Sequence, residues 1–242
     1  MNQDQFTINE NCSIAEDVFL MRLDGAHAIT APGQFVQIAL SGFYLRRPIS
    51  VCDYDAGGFS IIYKVVGGGT AAMSKLTPGN RLDIITGLGN GFDATLAQKP
   101  LIVGGGVGVP PLYKLAKDFR AVGKDVGVIL GFNRETDVFY HDEFKALGCT
   151  VFVTTIQPSW HIKGVVTDAL ALVSDYDFYY SCGPEPMLRA VYDACPTPGQ
   201  LSFESRMACG FGACMGCSCK TKYGAKRICK DGPVLNKEEI VW

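Results

Sequence analysis

Cys209, Cys214, Cys217 and Cys229 stand in the spacing Cys-x4-Cys-x2-Cys-x11-Cys. Four thiolates spaced in this way can hold a [2Fe-2S] cluster, and a chain that must wrap a compact inorganic core has little local freedom. The run Cys209-Gly210-Phe211-Gly212-Ala213-Cys214-Met215-Gly216-Cys217 is rich in small residues. Such residues let the backbone turn tightly and aim N–H groups at anionic sulfur. The fourth cysteine follows a polar excursion through Lys220, Lys222, Tyr223, Gly224, Lys226 and Arg227. That stretch reads as a loop closing the cage, with its cations offsetting cluster charge.

Two other uses of four cysteines compete. Structural zinc favours two closely spaced pairs, and only Cys214 and Cys217 form one. Disulfides belong to oxidising compartments, whereas the start Met1-Asn2-Gln3-Asp4-Gln5 lacks the basic and apolar regions of an export signal. Cys219 rivals Cys217 for a ligand position, because strand alternation turns both the same way; it is read as a packed neighbour. Cys12, Cys52, Cys149 and Cys195 lie among apolar residues and read as ordinary buried thiols.

A chain of 242 residues accommodates two domains and a small module. Hydrophobic residues at 48% and charged residues at 19% exclude disorder. A net charge of −2 offers no basic excess for a nucleic acid backbone. No uninterrupted apolar run approaches the roughly 18 residues of a membrane span, so a cytoplasmic protein is expected.

Up to about Gln98 the pattern is of short strands between turn signals, at Ile14 to Leu23, Gln34 to Leu40, Pro48 to Cys52, Phe59 to Val65 and Arg81 to Ile85. It predicts an antiparallel barrel, with a short helix over Thr70 to Leu76 capped by Thr70. Residues 99–198 alternate strand and helix. Strands are expected at Leu101 to Val103, Val126 to Leu130, Cys149 to Thr155 and Phe178 to Ser181; helices at Pro110 to Val122, near Asp142 to Leu147, near Val165 to Val173, and at Glu185 to Ala194. Such alternation predicts a doubly wound parallel sheet. Residues 199–242 pass through one short strand into the cysteine module.

Two loops fall on the carboxyl edge of that sheet. Gly104, Gly106, Gly108 and Pro110 form a Gly-x-Gly-x-Gly-x-Pro run between a strand and a helix, where backbone N–H groups can face a pyrophosphate. Cys182, Gly183, Pro184 and Met187 mark a second strand-to-helix junction, and convergence at one edge favours a nucleotide site. Taken singly, each run is equally a tight turn. No acidic residue for a ribose is evident, and Arg134 is a candidate for a 2′-phosphate. In the first segment, Arg47 offers a guanidinium suited to phosphate, and Gly69 with Thr70 opens a helix that offers free amides. A surface arginine pair and a glycine hairpin are the plainer readings.

Taken together, these residues resemble the ferredoxin-reductase superfamily, and most closely the electron-transfer subunits of NAD-dependent dihydroorotate dehydrogenase, over nearly the whole chain. The resemblance implies an FAD-binding barrel, an NAD-binding α/β domain and a [2Fe-2S] module. It implies that Arg47-Pro48-Ile49-Ser50 contacts FAD, with Arg47 on the pyrophosphate, Ser50 near the flavin ring and Ile49 where the superfamily usually has an aromatic. Ile62-Tyr63-Lys64 is similar to the second flavin strand, Gly69-Thr70 to a phosphate contact, and Gly87-Leu88-Gly89-Asn90-Gly91-Phe92 to the family's Leu-Gly-x-Gly-Phe segment. Arg206-Met207-Ala208-Cys209-Gly210 is the most specific match, and Cys209 argues against a related bifurcating branch that has Asp there.

The implied activity is that of an NAD-linked flavoprotein oxidoreductase subunit. It would act with an FMN-containing catalytic subunit, in a heterotetramer of two of each, and pass electrons to NAD⁺. His27, His141 and His161 form no recognisable catalytic pairing, and Trp242 is not expected to cover the flavin as a terminal aromatic does in many ferredoxin reductases. Two alternatives stand: a similar reductase serving another partner such as an oxygenase, and a zinc-stabilised interaction module on a degenerate nucleotide-binding fold.

Overall fold

The computed structural model describes residues 1–157, 161–173 and 175–242. Strands β1 (Asn2–Ala15), β2 (Val18–Asp24), β3 (Phe35–Ile38), β4 (Arg47–Asp55), β5 (Gly58–Lys64) and β6 (Arg81–Leu88) close into a barrel in the order β1-β2-β5-β4-β3-β6. Every pairing is antiparallel. The barrel predicted from the turn signals is therefore present, with two corrections. The strand expected over Ile14 to Leu23 is the end of one strand and the whole of another, split where Asp17 takes a left-handed φ of 58°. The first half of β1 escapes a hydrophobic reading because only Phe6 and Ile8 turn into the core while its other residues are polar. Helix α1 (Gly68–Met73) begins two residues earlier than expected, after Gly67. Thr70 is inside it, and its Oγ1 reaches back to accept from Val66 N (3.0 Å) and Gly67 N (3.3 Å), which serves the unpaired donors of the first turn.

The chain continues through β7 (Pro100–Gly105), α2 (Pro110–Ala121), β8 (Gly127–Phe132), α3 (His141–Ala146), β9 (Thr150–Thr155), β10 (Ile162–Lys163), β11 (Phe178–Cys182), α4 (Glu185–Ala194) and β12 (Gly199–Ser202). A hairpin of β13 (Ser218–Thr221) and β14 (Gly224–Arg227), helix α5 (Ile228–Asp231) and β15 (Val234–Asn236) follow. The sheet order is β10-β9-β8-β7-β11-β12-β15, parallel except for β15. Strands β7 and β11 are buried along their whole length, as interior strands of a parallel sheet covered on both faces must be. The helix expected over Val165 to Val173 is a 3₁₀ segment, Val166–Leu172, opened by the β-branched Val166 and Thr167, whose restricted χ1 weakens a helix start.

Alternation along β7 sorts its side chains to opposite faces. Ile102 joins the core built on Leu112, Leu115, Ala116 and Phe119 of α2, which also takes in Val18, Leu20, Cys52 and Ile62 of the barrel. Leu101 and Val103 join the other face, with Leu188 and Val191 of α4 and with Cys217, Ile228, Cys229, Leu235 and Ile240. The barrel packs on the first of these faces, and its Phe35 and Leu88 also join the second, where the cysteine module packs. Among the described residues no helix is long and apolar enough to cross a membrane.

Candidate functional site

The strand order reverses between β7 and β11, so the loops leaving these two strands open a crevice at the carboxyl edge. The loops interlock. A Cβ on Gly108 would overlap the Cys182 carbonyl and the Gly183 amide, and one on Gly105 would overlap the Met187 sulfur. Gly106 takes a φ of 51°, and Pro110 occupies the first turn of α2, where no N–H is missed. A cleft of about 750 Å³ lies here, lined among others by Gly106, Asn133, Asp137, Pro184 and Met187. Gly104, Gly108, Pro110 and Gly183 shape it from behind rather than lining it.

Arg134 is not free to receive a phosphate. Its Nη2 lies 2.9 Å from Asp137 Oδ1 and 3.0 Å from Glu16 Oε2. Asp137, which sequence reasoning did not mark, is buried in the cleft wall, with both carboxylate oxygens accepting from Arg134.

A second cleft of about 1020 Å³ adjoins the first, and Lys64 and Val107 line both. Pro48, Ile49 and Ser50 of β4, Ile62, Tyr63 and Lys64 of β5, and Thr70 line it, with Cys182 facing this cleft instead of the first. The ring of Tyr63 is committed to the barrel core, stacked on Phe19 at 5.8 Å with its O–H donating to Asn11 Oδ1 at 2.9 Å. The two arginines divide. Arg46 Nη1 bridges strands by donating to Asp83 O (2.9 Å) and Asp83 Oδ1 (2.8 Å). Arg47 packs its guanidinium against the Cα of Gly69, over the Phe43 ring at 4.9 Å, and donates to Leu45 O at 2.6 Å. Arg47 and Gly69 thus meet beside Thr70.

Sequence reasoning missed Phe35, Phe203 and Glu204, which complete this cleft. Glu204 follows the end of β12 and keeps an exposed face, while partial desolvation of its carboxyl raises it above the usual range. Burial, followed by the charge of Glu204, pushes the Cys182 thiol up to about 12. Nothing local in the sequence marks Glu204; it reaches the cleft because β12 pairs with β11. Trp242 does not line the cleft but backs Phe203, at 5.7 Å between rings. The segment Gly89-Asn90 clamps the far wall: Asn90 N donates to Gly232 O at 2.6 Å and its Nδ2 to Val234 O at 2.7 Å. His141 and His161 stack edge to face at 5.5 Å, a pairing invisible in the sequence, and neither lines either cleft.

Met207 carries the second cleft to the cysteine loop. There Gly210 (φ 75°), Gly212 (φ 93°) and Met215 (φ 61°) take left-handed conformations, and the turned backbone donates to sulfur. Ala213 N and Cys214 N lie 3.3 and 3.4 Å from Cys209 Sγ, Gly216 N lies 3.5 Å from Cys214 Sγ, and Cys229 N lies 3.4 Å from Cys217 Sγ. Burial raises the Cys209 thiol, but the Cys214, Phe211 and Ala213 amides and the Cys214 thiol outweigh it and bring the value down to about 6. Burial and the neighbouring Cys217 sulfur hold Cys229 at about 12. Two thiols in contact resist joint ionisation unless a cationic centre is shared between them.

The thiols contact one another as two pairs, Cys209 with Cys214 and Cys217 with Cys229. Among the described residues no three His, Cys, Asp or Glu side chains gather where one ion could be held. Two sulfurs for each of two irons is the demand of a [2Fe-2S] cluster with four cysteine ligands, so the residues fit that group better than one zinc ion. Cys219 packs into the apolar core beside the module. The polar excursion is the hairpin β13–β14, and two of its cations are already engaged: Lys226 with Glu239, and Arg227 with Asp231 at 3.0 Å. Arg227 also donates to Gly212 O at 2.9 Å and so braces the loop rather than remaining available to offset cluster charge.

Comparison with known proteins agrees with this layout. Residues 204–241 match the family model described as the iron-sulfur cluster binding domain of dihydroorotate dehydrogenase B, and residues 102–193 match the oxidoreductase NAD-binding domain. The dihydroorotate dehydrogenase B (NAD(+)) electron transfer subunit of Fusobacterium nucleatum is 45% identical, with 99% of each chain covered. That of Geobacillus kaustophilus is 40% identical, over 100% of this chain and 99% of the other. Among solved structures, an NADH-dependent reduced ferredoxin-NADP oxidoreductase studied for flavin-based electron bifurcation superposes with a TM-score of 0.88 at 31% identity, covering 98% of this chain and 90% of that one. Phthalate dioxygenase reductase, at 15% identity and a TM-score of 0.70 over 91% of this chain and 87% of its own, shares the fold. Full-length likeness at this identity, with the cysteine run inside a matching iron-sulfur domain, leaves one conclusion: the chain belongs to the family of electron transfer subunits of dihydroorotate dehydrogenase B (NAD(+)).

Proposed function

We propose that this chain, in the cytoplasm and in a heterotetramer of two copies of each subunit, carries electrons from the FMN of a catalytic partner through [2Fe-2S] and FAD to NAD⁺ as dihydroorotate is oxidised for pyrimidine biosynthesis. The observation that carries this reading is contiguity: one cleft wall runs from Ser50 and Lys64 through Val107, shared with the nucleotide cleft, to Met207, two residues before Cys209. When bound, the cluster exchanges single electrons, the nicotinamide takes a hydride, and a flavin can do both.

The chain's own residues supply binding and orientation. Arg47, held beside Gly69, meets the pyrophosphate of FAD as a fixed cation. Thr70 draws the Val66 and Gly67 amides into the loop that borders it. Pro48, Ile49, Ser50, Ile62, Tyr63 and Lys64 form the flavin wall. Gly104, Gly106, Gly108 and Pro110 bring the chain close to NAD, while Cys182, Gly183, Pro184 and Met187 hold the nicotinamide end toward the flavin wall. Cys209 with Cys214, and Cys217 with Cys229, ligate the two irons. The division of the chain is 1–98 for FAD, 99–198 for NAD and 199–242 for the cluster, with β12 and β15 of the last part stitched into the nucleotide sheet.

The two clefts and the cysteine loop are taken up by the three cofactors, and dihydroorotate is assigned to the catalytic partner. The purified chain, loaded with its cofactors, is expected to reduce artificial acceptors with NADH but not to oxidise dihydroorotate. Dihydroorotate turnover without a second polypeptide would overturn the division of labour.

A further inference from the structure

Gln37 lies on β3 between the two redox sites. Its neighbour on the same side of the strand, Phe35, lines the flavin cleft, and its partner across the ladder is Pro48 of the flavin wall. Its side chain reaches the cluster loop. Gly210 follows the ligand Cys209, and a Cβ there would overlap the Gln37 carboxamide along its length, from Cγ through Cδ to Nε2. Gln37 is 1% exposed, and its Nε2 has no hydrogen-bond partner in the protein.

A buried amide donor left unmatched is rare in a native structure and asks for an acceptor outside the polypeptide. Around Gly210 the available protein donors already serve sulfur: the Ala213 and Cys214 amides are turned on Cys209 Sγ. Thiolate and sulfide sulfurs accept and do not donate, so of the two ends of a carboxamide they select the NH₂. The left-handed Gly210 gives the amide its approach, since any other residue there would fill the space.

We propose that the Gln37 carboxamide donates a hydrogen bond to a sulfur of the cluster, at its Cys209 end, and thereby sets the cluster's reduction potential from the flavin-binding barrel. Hydrogen bonds to sulfur stabilise the reduced, more negative cluster and raise its potential. Gln37 is then a cofactor-contacting residue on a strand that also borders the flavin. This rests on the assignment of Cys209, Cys214, Cys217 and Cys229 as cluster ligands.

The test uses the full chain, loaded and purified with its catalytic partner. Q37M, which keeps volume without a donor, is expected to hold iron and FAD at wild-type levels while the equilibrium constant for reducing the cluster falls about tenfold. That fall is a negative shift of about 59 mV for one electron, followed by the electron paramagnetic resonance signal of the reduced cluster. The FAD potential should stay where it is. A fully loaded Q37M with an unchanged cluster potential overturns the proposal. A second reading needs no variant: wild-type protein carrying ¹⁵N in its glutamine side chains should show a cluster hyperfine coupling that changes with the isotope, and absence of that change also overturns it. Absence of any [2Fe-2S] signal in the wild type would instead remove the ligand assignment beneath it.

Discussion

The cysteine loop and the flavin cleft are built in opposite ways. The sulfurs of Cys209 and Cys214 are met by amides of one short run, and those of Ala213, Cys214 and Gly216 converge because the left-handed Gly210, Gly212 and Met215 turn the backbone inward; Cys217 takes its amide from Cys229. The cleft draws its wall from Phe35 on β3, from β4 and β5, from Val107, from Cys182 and from Phe203 to Pro233. Apart from β4 and β5, which one tight turn joins, these segments are distant in sequence; they meet because the barrel and the parallel sheet pack together. A loop of the first kind is damaged by changing one residue in it. A cleft of the second kind should lose affinity piecemeal.

The contrast can be broken most severely at the cluster. Cys217→Ser is expected to strip nearly all the iron while FAD and NADH-driven dye reduction persist, as measured by metal analysis and visible spectra. Loss of FAD as well would mean that the two regions fold as one. Arg47→Leu comes next: a lost charge-assisted contact of about 1.5–3 kcal/mol corresponds to FAD binding weaker by roughly 10–100-fold, read by flavin release on dilution, with iron retained. For Gly108→Val the branched side chain must displace the Cys182 carbonyl. The expected cost is about tenfold in NADH dissociation constant, or about 1.4 kcal/mol, with little change in FAD.

The smallest effect concerns pH. Arg46 holds the Asp83 carboxyl below its ordinary value of 3.8, so the pair's stabilisation is present above that value and is lost as pH falls through the lower folded one. At this partly exposed pair it amounts to no more than about 1 kcal/mol. Acid titration of thermal stability in wild type and Asp83→Asn should therefore converge at low pH and separate above it. Equal separation at all pH values would show that Asp83 acts by packing.

The barrel and the doubly wound sheet were legible because their strands are apolar and bounded by turn residues. The strand β1 was not, since its early outward-facing residues are polar. Thr70 was readable as a helix-start residue, but whether it caps from outside or reaches back from inside depends on where Gly67 ends its extended backbone. The Arg46-Arg47 pair shows the limit most clearly. Both are guanidiniums beside one strand, and only the register of β3, β4 and β6 sends one to Asp83 and the other to Gly69.

By itself the sequence determined the cysteine spacing, the two glycine-bearing strand-to-helix loops and the order of barrel, sheet and module, because each is encoded by residues within a few positions of one another. Tertiary structure alone decided that Glu204 and Phe203 face the flavin wall, that Asp137 and Glu16 neutralise Arg134, and that Gln37 points an unmatched amide at Gly210. Those outcomes turn on which strands pair and in what register. One residue of slip exchanges the two faces of a strand, and no local pattern reports it.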